Sequence, residues 1–105
     1  GGVATPRVVF PKGWKSDGTA AEEMLAERND EFLAKMTLDA VPPGARFTVY
    51  RRAPRLESDS DKKAVYVVKV ATAEAVRNVK KKIYAFKLIR TGDAIMAGDL
   101  LKLDR

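Results

Sequence analysis

Short runs of alternating or β-branched residues, separated by turns, constrain the fold of this chain most strongly. The run "ARFTVYRR" at 45–52 alternates apolar and polar side chains and follows the turn sequence "VPPG". The run "AVYVVKV" at 64–70 is β-branched, and "KKKIYAFKLIR" at 80–90 is apolar on both faces. These patterns are typical of β-strands, and a strand with two apolar faces usually lies centrally in a sheet or in a barrel. We therefore expect β-structure in the larger, C-terminal part of the chain.

Two shorter strands and two ambiguous segments complete this prediction. Residues 6–10, "PRVVF", and residues 99–103, "DLLKL", are expected to be strands near the two ends. In residues 31–41, "EFLAKMTLDAV", apolar side chains occupy alternate positions, which favours a strand, although the same residues would also suit a helix. Residues 72–79 fit either a bend with a short strand or one helical turn.

Two loops are expected between the strands. The loop "PKGWKSDG" at 11–18 holds Gly13 and Gly18, which we interpret as turn positions. The loop "APRLESDSDKK" at 53–63 is polar and charged, and we expect it to be exposed and mobile. Its "ESDSD" segment lacks the glycine and the glutamate that a calcium loop needs at its sixth and twelfth positions. No metal site is therefore predicted.

A helix is predicted over residues 19–30. Thr19 is a good N-cap, and Glu22 three residues later completes a capping box. An apolar stripe at helical spacing is formed by Ala20, Ala21, Met24 and Leu25. The expected class is therefore α+β, a small and mostly antiparallel β-barrel of five or six strands with one N-terminal helix. The 105 residues would form one domain, with a strand and loop at 1–18, the helix, and the barrel at 31–105.

The residue types available for catalysis are few. The chain contains no cysteine and no histidine, which removes thiolate ligands, the cysteine nucleophile and the commonest general base together. Carboxylates, lysine, tyrosine, serine and threonine remain, but no serine has a base to activate it. We therefore expect a non-catalytic protein without a cofactor.

The composition is that of a soluble globular domain. Hydrophobic residues make up 46% and charged residues 32% of the chain, a balance found in folded proteins. No apolar run is long enough to span a bilayer, and the first residues lack the apolar core of a signal peptide. A transmembrane segment is therefore not expected.

Positive charge is concentrated in the predicted strand region. Residues 1–40 carry five basic against seven acidic side chains, whereas residues 41–105 carry fifteen against seven, which accounts for the net charge of +6. This bias indicates an anionic partner. The residues expected to bind that partner are Arg51, Arg52, Lys80, Lys81, Lys82 and Arg90.

Three interpretations of this basic set stay open. It can bind an acidic protein or an envelope polymer through charge, or it can bind nucleic acid if aromatic side chains beside it stack on the bases. The lysines can also serve only to keep strand edges from aggregating. The aromatic candidates are Trp14, Tyr50, Tyr84 and Phe86. An exposed Trp14 would be a binding anchor, whereas a Trp14 folded back would cover the core.

Two Gly-Asp pairs lie near the C-terminus, at 92–93 and at 98–99. Glycine adopts positive φ without steric penalty, and aspartate can bond its own backbone two residues further on. We interpret both pairs as turns between short strands rather than as a ligand site.

The motifs of the C-terminal two-thirds resemble a known module. The stretches "GARFTVYRR", "AVYVVKV" and "IYAFKLIRTGDAIMAGDLLKL" are similar to the C-terminal domain of flagellar assembly protein T, over about residues 31–103. They also resemble domains that follow coiled coils or LysM modules in other bacterial surface proteins. The resemblance implies a small β-barrel with a non-catalytic interaction or assembly role in the bacterial cell envelope, in a periplasmic or extracytoplasmic location.

Overall fold

The computed structural model of the chain describes residues 6–22 and 27–105, and these residues form an all-β structure. Every pairing between the strands is antiparallel. Within these ranges no helix is long and apolar enough to cross a membrane. The strands are β1 (Arg7–Phe10), β2 (Gly18–Ala20), β3 (Glu31–Met36), β4 (Arg46–Arg52), β5 (Val65–Lys80), β6 (Ile83–Thr91) and β7 (Leu100–Leu103).

The 16-residue strand β5 organises the sheet. Along one edge it pairs with β4, whose last residue, Arg52, lies opposite Val67. The other edge is shared by β1, which pairs with residues 65–68, and by β6, which pairs with residues 71–80. The seven strands follow one another in the order β1-β5-β4-β7-β2-β3-β6.

The predicted helix at 19–30 is wrong, and with it the α+β class. Thr19 and Ala20 belong to β2, which pairs with β3 on one side and with β7 on the other. Met24 and Leu25 of the predicted apolar stripe lie outside the described residues. Helix propensity and capping are weak local preferences, and pairing with two neighbouring strands overrides them here.

The expected barrel of five or six strands is wrong as well. The strands form one seven-stranded sheet with β1 at its edge, because β1 pairs with β5 alone. We expected a strand that ends near residue 71, but β5 continues to Lys80, so one of its edges has room for both β1 and β6. Three register shifts in the pairing of β5 with β6 interrupt the alternation of side chains in residues 72–80, which concealed the strand.

Of the segment 31–41, residues 31–36 form β3, which confirms the strand interpretation there. Phe32, Ala34 and Met36 are buried, and the residues between them are more exposed, as the alternation predicts. The predicted run at 45–52 corresponds to β4, and strands also occupy the other expected positions as β1, β6 and β7.

Three phenylalanines from different strands form the centre of the core. Phe32, Phe47 and Phe86 are the largest fully buried side chains. The ring centroid of Phe86 lies 5.7 Å from that of Phe32 and 5.2 Å from that of Phe47, with an edge-on contact in the second pair. Because these rings come from β3, β4 and β6, their packing holds the strands that carry the charged residues in fixed positions.

The two glycines of the 11–18 loop have different roles. Gly13 has φ of +89°, which is the turn conformation expected for it. Gly18 is instead the first residue of β2, where a Cβ would overlap the sulfur of Met36 and lie 2.8 Å from the carbonyl oxygen of Lys35. Gly18 is therefore needed for close packing of β2 on β3.

Candidate functional site

The basic residues that the sequence placed on one face are divided between the two ends of β5. Arg52 lies opposite Val67, near the start of β5, whereas Lys80 is its last residue. A strand rises about 3.3 Å per residue, so these two positions are separated by roughly 40 Å along the strand. Arg90 lies between them, opposite Thr72. The structure therefore offers two cationic surfaces rather than one.

The first surface, which we name the lysine cluster, consists of Lys35, Lys80, Lys81 and Lys82. Lys35 and Lys80 both lie opposite Ile83, one on β3 and the other on β5, and thus flank β6 on its two sides. Lys81 and Lys82 form the tight turn between β5 and β6, with φ of +50° at Lys81. Around Ile83 the four lysines line a shallow depression of about 490 Å³.

Most of the lysine cluster has no counter-charge. The ammonium of Lys82 donates to the carbonyl oxygen of Leu38 at 3.2 Å and lies 3.7 Å from the carboxylate of Asp39. Among the described residues, the side chains of Lys35, Lys80 and Lys81 make neither an ion pair nor a hydrogen bond.

The basic residues next to the cluster are, in contrast, neutralised within the sheet. Arg77 pairs with Glu31 at 2.9 Å. Lys87 lies 3.3 Å from Glu74, whose other carboxylate oxygen accepts from Arg46 at 3.2 Å. The hydrogen bond from Lys87, followed by that from Arg46, lowers the pKa of Glu74. In this part of the sheet, the uncompensated charge therefore lies at the lysine cluster.

Arg51, which we expected to bind a partner, is engaged inside the protein. Its Nε and one terminal nitrogen donate to the two carboxylate oxygens of Asp99 at 2.9 and 2.8 Å. The same terminal nitrogen donates to the carbonyl oxygen of Ala94, and the other lies 3.4 Å from Asp93. The hydrogen bonds with Asp99 raise the pKa of Arg51. Arg51 is therefore a structural residue that holds the segment before β7.

Of the two Gly-Asp pairs, the second forms the expected turn. Gly98 has φ of +90° and lies in the turn before β7. The side chain of Asp99 is only 3% exposed and accepts from the amide of Met96 as well as from Arg51. The sequence pattern predicts the turn, but it carries no signal for the ion pair, because Arg51 lies 48 residues away.

The predicted aromatic contacts do not accompany the lysine cluster. Trp14 stacks on Phe10 with ring centroids 4.5 Å apart, and Tyr50 contacts both rings edge-on. This group joins the 11–18 loop to β1 and β4, so Trp14 folds back onto the protein. Tyr84 is partly buried against the core, and Phe86 is fully buried.

The 53–63 loop is exposed at most of its positions, as expected, and Asp59 attaches it to the sheet. Asp59 is 9% exposed and accepts two hydrogen bonds from the guanidinium of Arg7, at 2.8 and 2.6 Å. The bonds from Arg7, helped by one from the amide of Leu56, lower the pKa of Asp59 to about 2. Nothing in "ESDSD" distinguishes Asp59 from Glu57 or Asp61, so the sequence could not identify it.

Two further depressions contain the remaining predicted residues. Arg90 lines an apolar groove of about 460 Å³ with Val8 and Val70, where β1 begins and β6 ends along β5. Arg52 lines a smaller pocket with Arg55 at the start of β5. In the described part of the chain, no group of three or more carboxylates could hold a metal ion.

Comparison with protein-family models, with curated proteins and with solved structures finds no match for this chain. The similarity to the flagellar assembly protein T domain thus rests on the quoted motifs, and it stays a prediction.

Proposed function

We propose that this protein is a non-enzymatic interaction module that presents the lysine cluster to an acidic partner, an acidic protein or an anionic envelope polymer. The observation that carries the proposal is the uncompensated charge of Lys35, Lys80 and Lys81 at one end of the sheet. Clustered charge of one sign raises the local concentration of an oppositely charged partner and accelerates encounter.

Protection of a sheet edge explains only part of this cluster. Lys80 and Lys81 lie at the end of the β5–β6 hairpin, where exposed lysines can prevent aggregation. Lys35 is different, because it lies opposite Thr19 of β2 on one side and opposite Ile83 of β6 on the other. A residue paired on both sides protects no edge, so its charge supports a role in binding.

An acidic protein or polymer is favoured over nucleic acid as the partner. Binding of single strands combines positive charge with exposed aromatic rings on which bases stack. Here Trp14 and Tyr50 contact each other and Phe10, the last residue of β1, and Tyr84 packs against the core. Charge without adjacent free rings is suited to a carboxylate-rich partner. The bacterial envelope as the setting is the part of the proposal that rests on the resemblance alone.

The proposal is tested by fluorescence anisotropy with a labelled polyglutamate peptide and a labelled single-stranded oligonucleotide of mixed sequence. The protein should bind polyglutamate, with affinity falling as salt rises from about 50 to 200 mM. The K80Q/K81Q variant should bind on the order of fivefold more weakly, since each exposed charge contributes a fraction of a kcal/mol. The K12Q/K15Q variant removes the same charge from an exposed loop at the other end of the sheet and should retain most of the affinity.

Two outcomes would contradict the proposal. Equal losses in both double variants would mean that polyglutamate responds to net charge and not to the lysine cluster. Tighter binding of the oligonucleotide, weakened by Tyr84→Ala, would identify a nucleic-acid-binding domain instead.

A further inference from the structure

A second cationic surface lies at the start of β5, at the opposite end of the sheet from the lysine cluster. It is a pocket of about 290 Å³ between the end of β4, the 53–63 loop and the first residues of β5. Its polar lining comes from Arg52, Arg55, Lys63 and Tyr66, and no acidic residue lines it. Three cations, one from the end of β4 and two from the 53–63 loop, thus surround one concave space.

Arg55 is held in position by the backbone around it. Its two terminal nitrogens donate to the carbonyl oxygens of Asp61 and Ala64, at 2.8 and 3.0 Å. Its guanidinium carbon lies 5.3 Å from the ring centroid of Tyr66, and the hydroxyl of Tyr66 donates to the same Asp61 carbonyl at 3.1 Å. Because this side chain is already ordered, a ligand would bind it at a reduced cost in conformational entropy.

The cations around the pocket have hydrogen-bond donors to spare. A guanidinium carries five N–H donors, and carbonyl oxygens occupy two of those on Arg55. Among the described residues the side chains of Arg52 and Lys63 make no hydrogen bond and no ion pair, and both are exposed. The pocket is therefore rich in unsatisfied donors with positive charge.

Two carboxylates of the adjacent loop, Asp59 and Asp61, accept hydrogen bonds from outside the pocket's cationic side chains. Asp59 accepts from Arg7 and from the amide of Leu56. The carboxylate of Asp61 accepts from the backbone amide of Lys63 at 2.9 Å. Neither carboxylate makes an ion pair with Arg52, Arg55 or Lys63, so these three cations are available to an anion from solution.

We propose that this pocket binds a phosphate group, either as free phosphate or as the phosphomonoester of a larger molecule. The planar guanidiniums of Arg52 and Arg55 offer paired donors that match phosphate oxygens, and Lys63 adds a compact charge. A phosphomonoester carries nearly two negative charges and three strong acceptor oxygens at neutral pH, which suits three cations better than a single carboxylate does. The pocket and the lysine cluster lie at opposite ends of β5, so this proposal stands or falls separately from the proposed function.

The test is titration of the isotope-labelled protein with inorganic phosphate, followed by the NMR signals of the Arg Nε–H groups and the backbone amides. Saturable shifts should be confined to Arg52, Arg55 and the amides at the start of β5. The R52Q/K63Q variant should bind phosphate at least about tenfold more weakly. K12Q/K15Q removes the same charge from the 11–18 loop, outside the pocket, and should change the affinity by less than about twofold.

The substituted side chains are exposed and form no hydrogen bond or ion pair in the described part of the chain, so we expect the variants to fold. The NMR signals of residues away from the pocket check that the fold is retained. Shifts that do not saturate, that spread over the surface, or that weaken equally in both variants would overturn the proposal. If phosphate binds, titrations with O-phosphoserine and with short-chain phosphatidic acid distinguish a small phosphomonoester from a lipid headgroup, and tighter binding of either one supports the pocket.

Discussion

At the scale of single residues, neighbouring arginines with the same chemistry have different roles. Arg51 is paired with the buried Asp99, whereas Arg52 is exposed and lines the pocket at the start of β5. Successive side chains of a strand point to opposite faces of the sheet. Arg51 and Arg52 are adjacent in β4, and this alternation makes the first a structural residue and leaves the second available to a ligand. The sequence pair "RR" does not tell which residue has which role.

The pairing of Arg51 with Asp99 should contribute measurably to stability. In R51M the carboxylate of Asp99, only 3% exposed, loses both guanidinium hydrogen bonds. Hydrogen bonds to charged groups contribute about 1.5–3 kcal/mol, and the free energy of unfolding should fall by that amount. Denaturation in urea measures this change, with R52M as the matched control, which should differ from the wild type by less than about 0.5 kcal/mol. Equal effects of the two substitutions would show that the ion pair with Asp99 is not what stabilises this region.

Asp59 should make stability depend on pH in the acid range. Its pKa is lowered to about 2 by the hydrogen bonds from Arg7, whereas an aspartate in an unfolded chain titrates near 4. The ionised group therefore stabilises the fold above about pH 4, and this contribution is lost as the pH falls from there through 2. The difference in the free energy of unfolding between wild type and D59N should narrow over this interval in urea titrations at successive pH values. The E57Q variant, which changes an exposed glutamate of the same loop, serves as the control. A difference in the free energy of unfolding between wild type and D59N that stays constant with pH would contradict the lowered pKa of Asp59.

At the scale of elements, the short strand β2 joins two parts of the sheet. It has only three residues, yet it pairs with β3 through Gly18, Thr19 and Ala20 and with β7 through Gly18 and Thr19. Its first residue must be small because β3 passes so close. A glycine in a sequence typical of a loop usually lies in a turn. Gly18 instead lies where two strands approach each other closely.

Gly18→Ala should destabilise the protein without changing its net charge. The added methyl group would overlap the sulfur of Met36 and lie 2.8 Å from the carbonyl oxygen of Lys35, which is backbone and cannot easily move. Overpacking of this kind costs about 1–3 kcal/mol. Gly92→Ala is the control, because its Cβ would meet the carbonyl oxygen of Val70 at an ordinary 3.5 Å. Thermal or urea unfolding compares the two variants, and a neutral G18A would mean that β2 can shift away from β3.

At the scale of the whole molecule, the sheet keeps its two cationic surfaces apart. The lysine cluster lies at the end of β5, and the pocket of Arg52, Arg55 and Lys63 lies at its start. Between them, carboxylates neutralise several basic residues, as Glu74 does for Arg46 and Lys87. The net charge of +6 is therefore distributed unevenly over the folded surface, with separate concentrations of positive charge at the two ends.

The positions of most strands follow from the sequence because side-chain alternation is a local property. β3, β4 and β6 have the periodicity or the apolar run that predicted them, and their aromatic residues form the core. The predicted helix over residues 19–30 was wrong because the capping-box pattern of Thr19 and Glu22 is a local preference that strand pairing overrides. The prediction was also incomplete where register shifts concealed the second half of β5.

The sequence by itself determined most of the strands, the turn at Gly98, the lack of histidine and cysteine, and the excess of positive charge in the strand region. Only the tertiary structure decided that these strands form one sheet of seven and that the basic residues separate into two surfaces. It also decided that Arg51 and Arg7 are held by Asp99 and Asp59. The physical reason is that periodicity acts over two residues, whereas strand order, register and ion pairs join residues as far apart in the chain as Gly18 and Leu101 or Asp17 and Lys102.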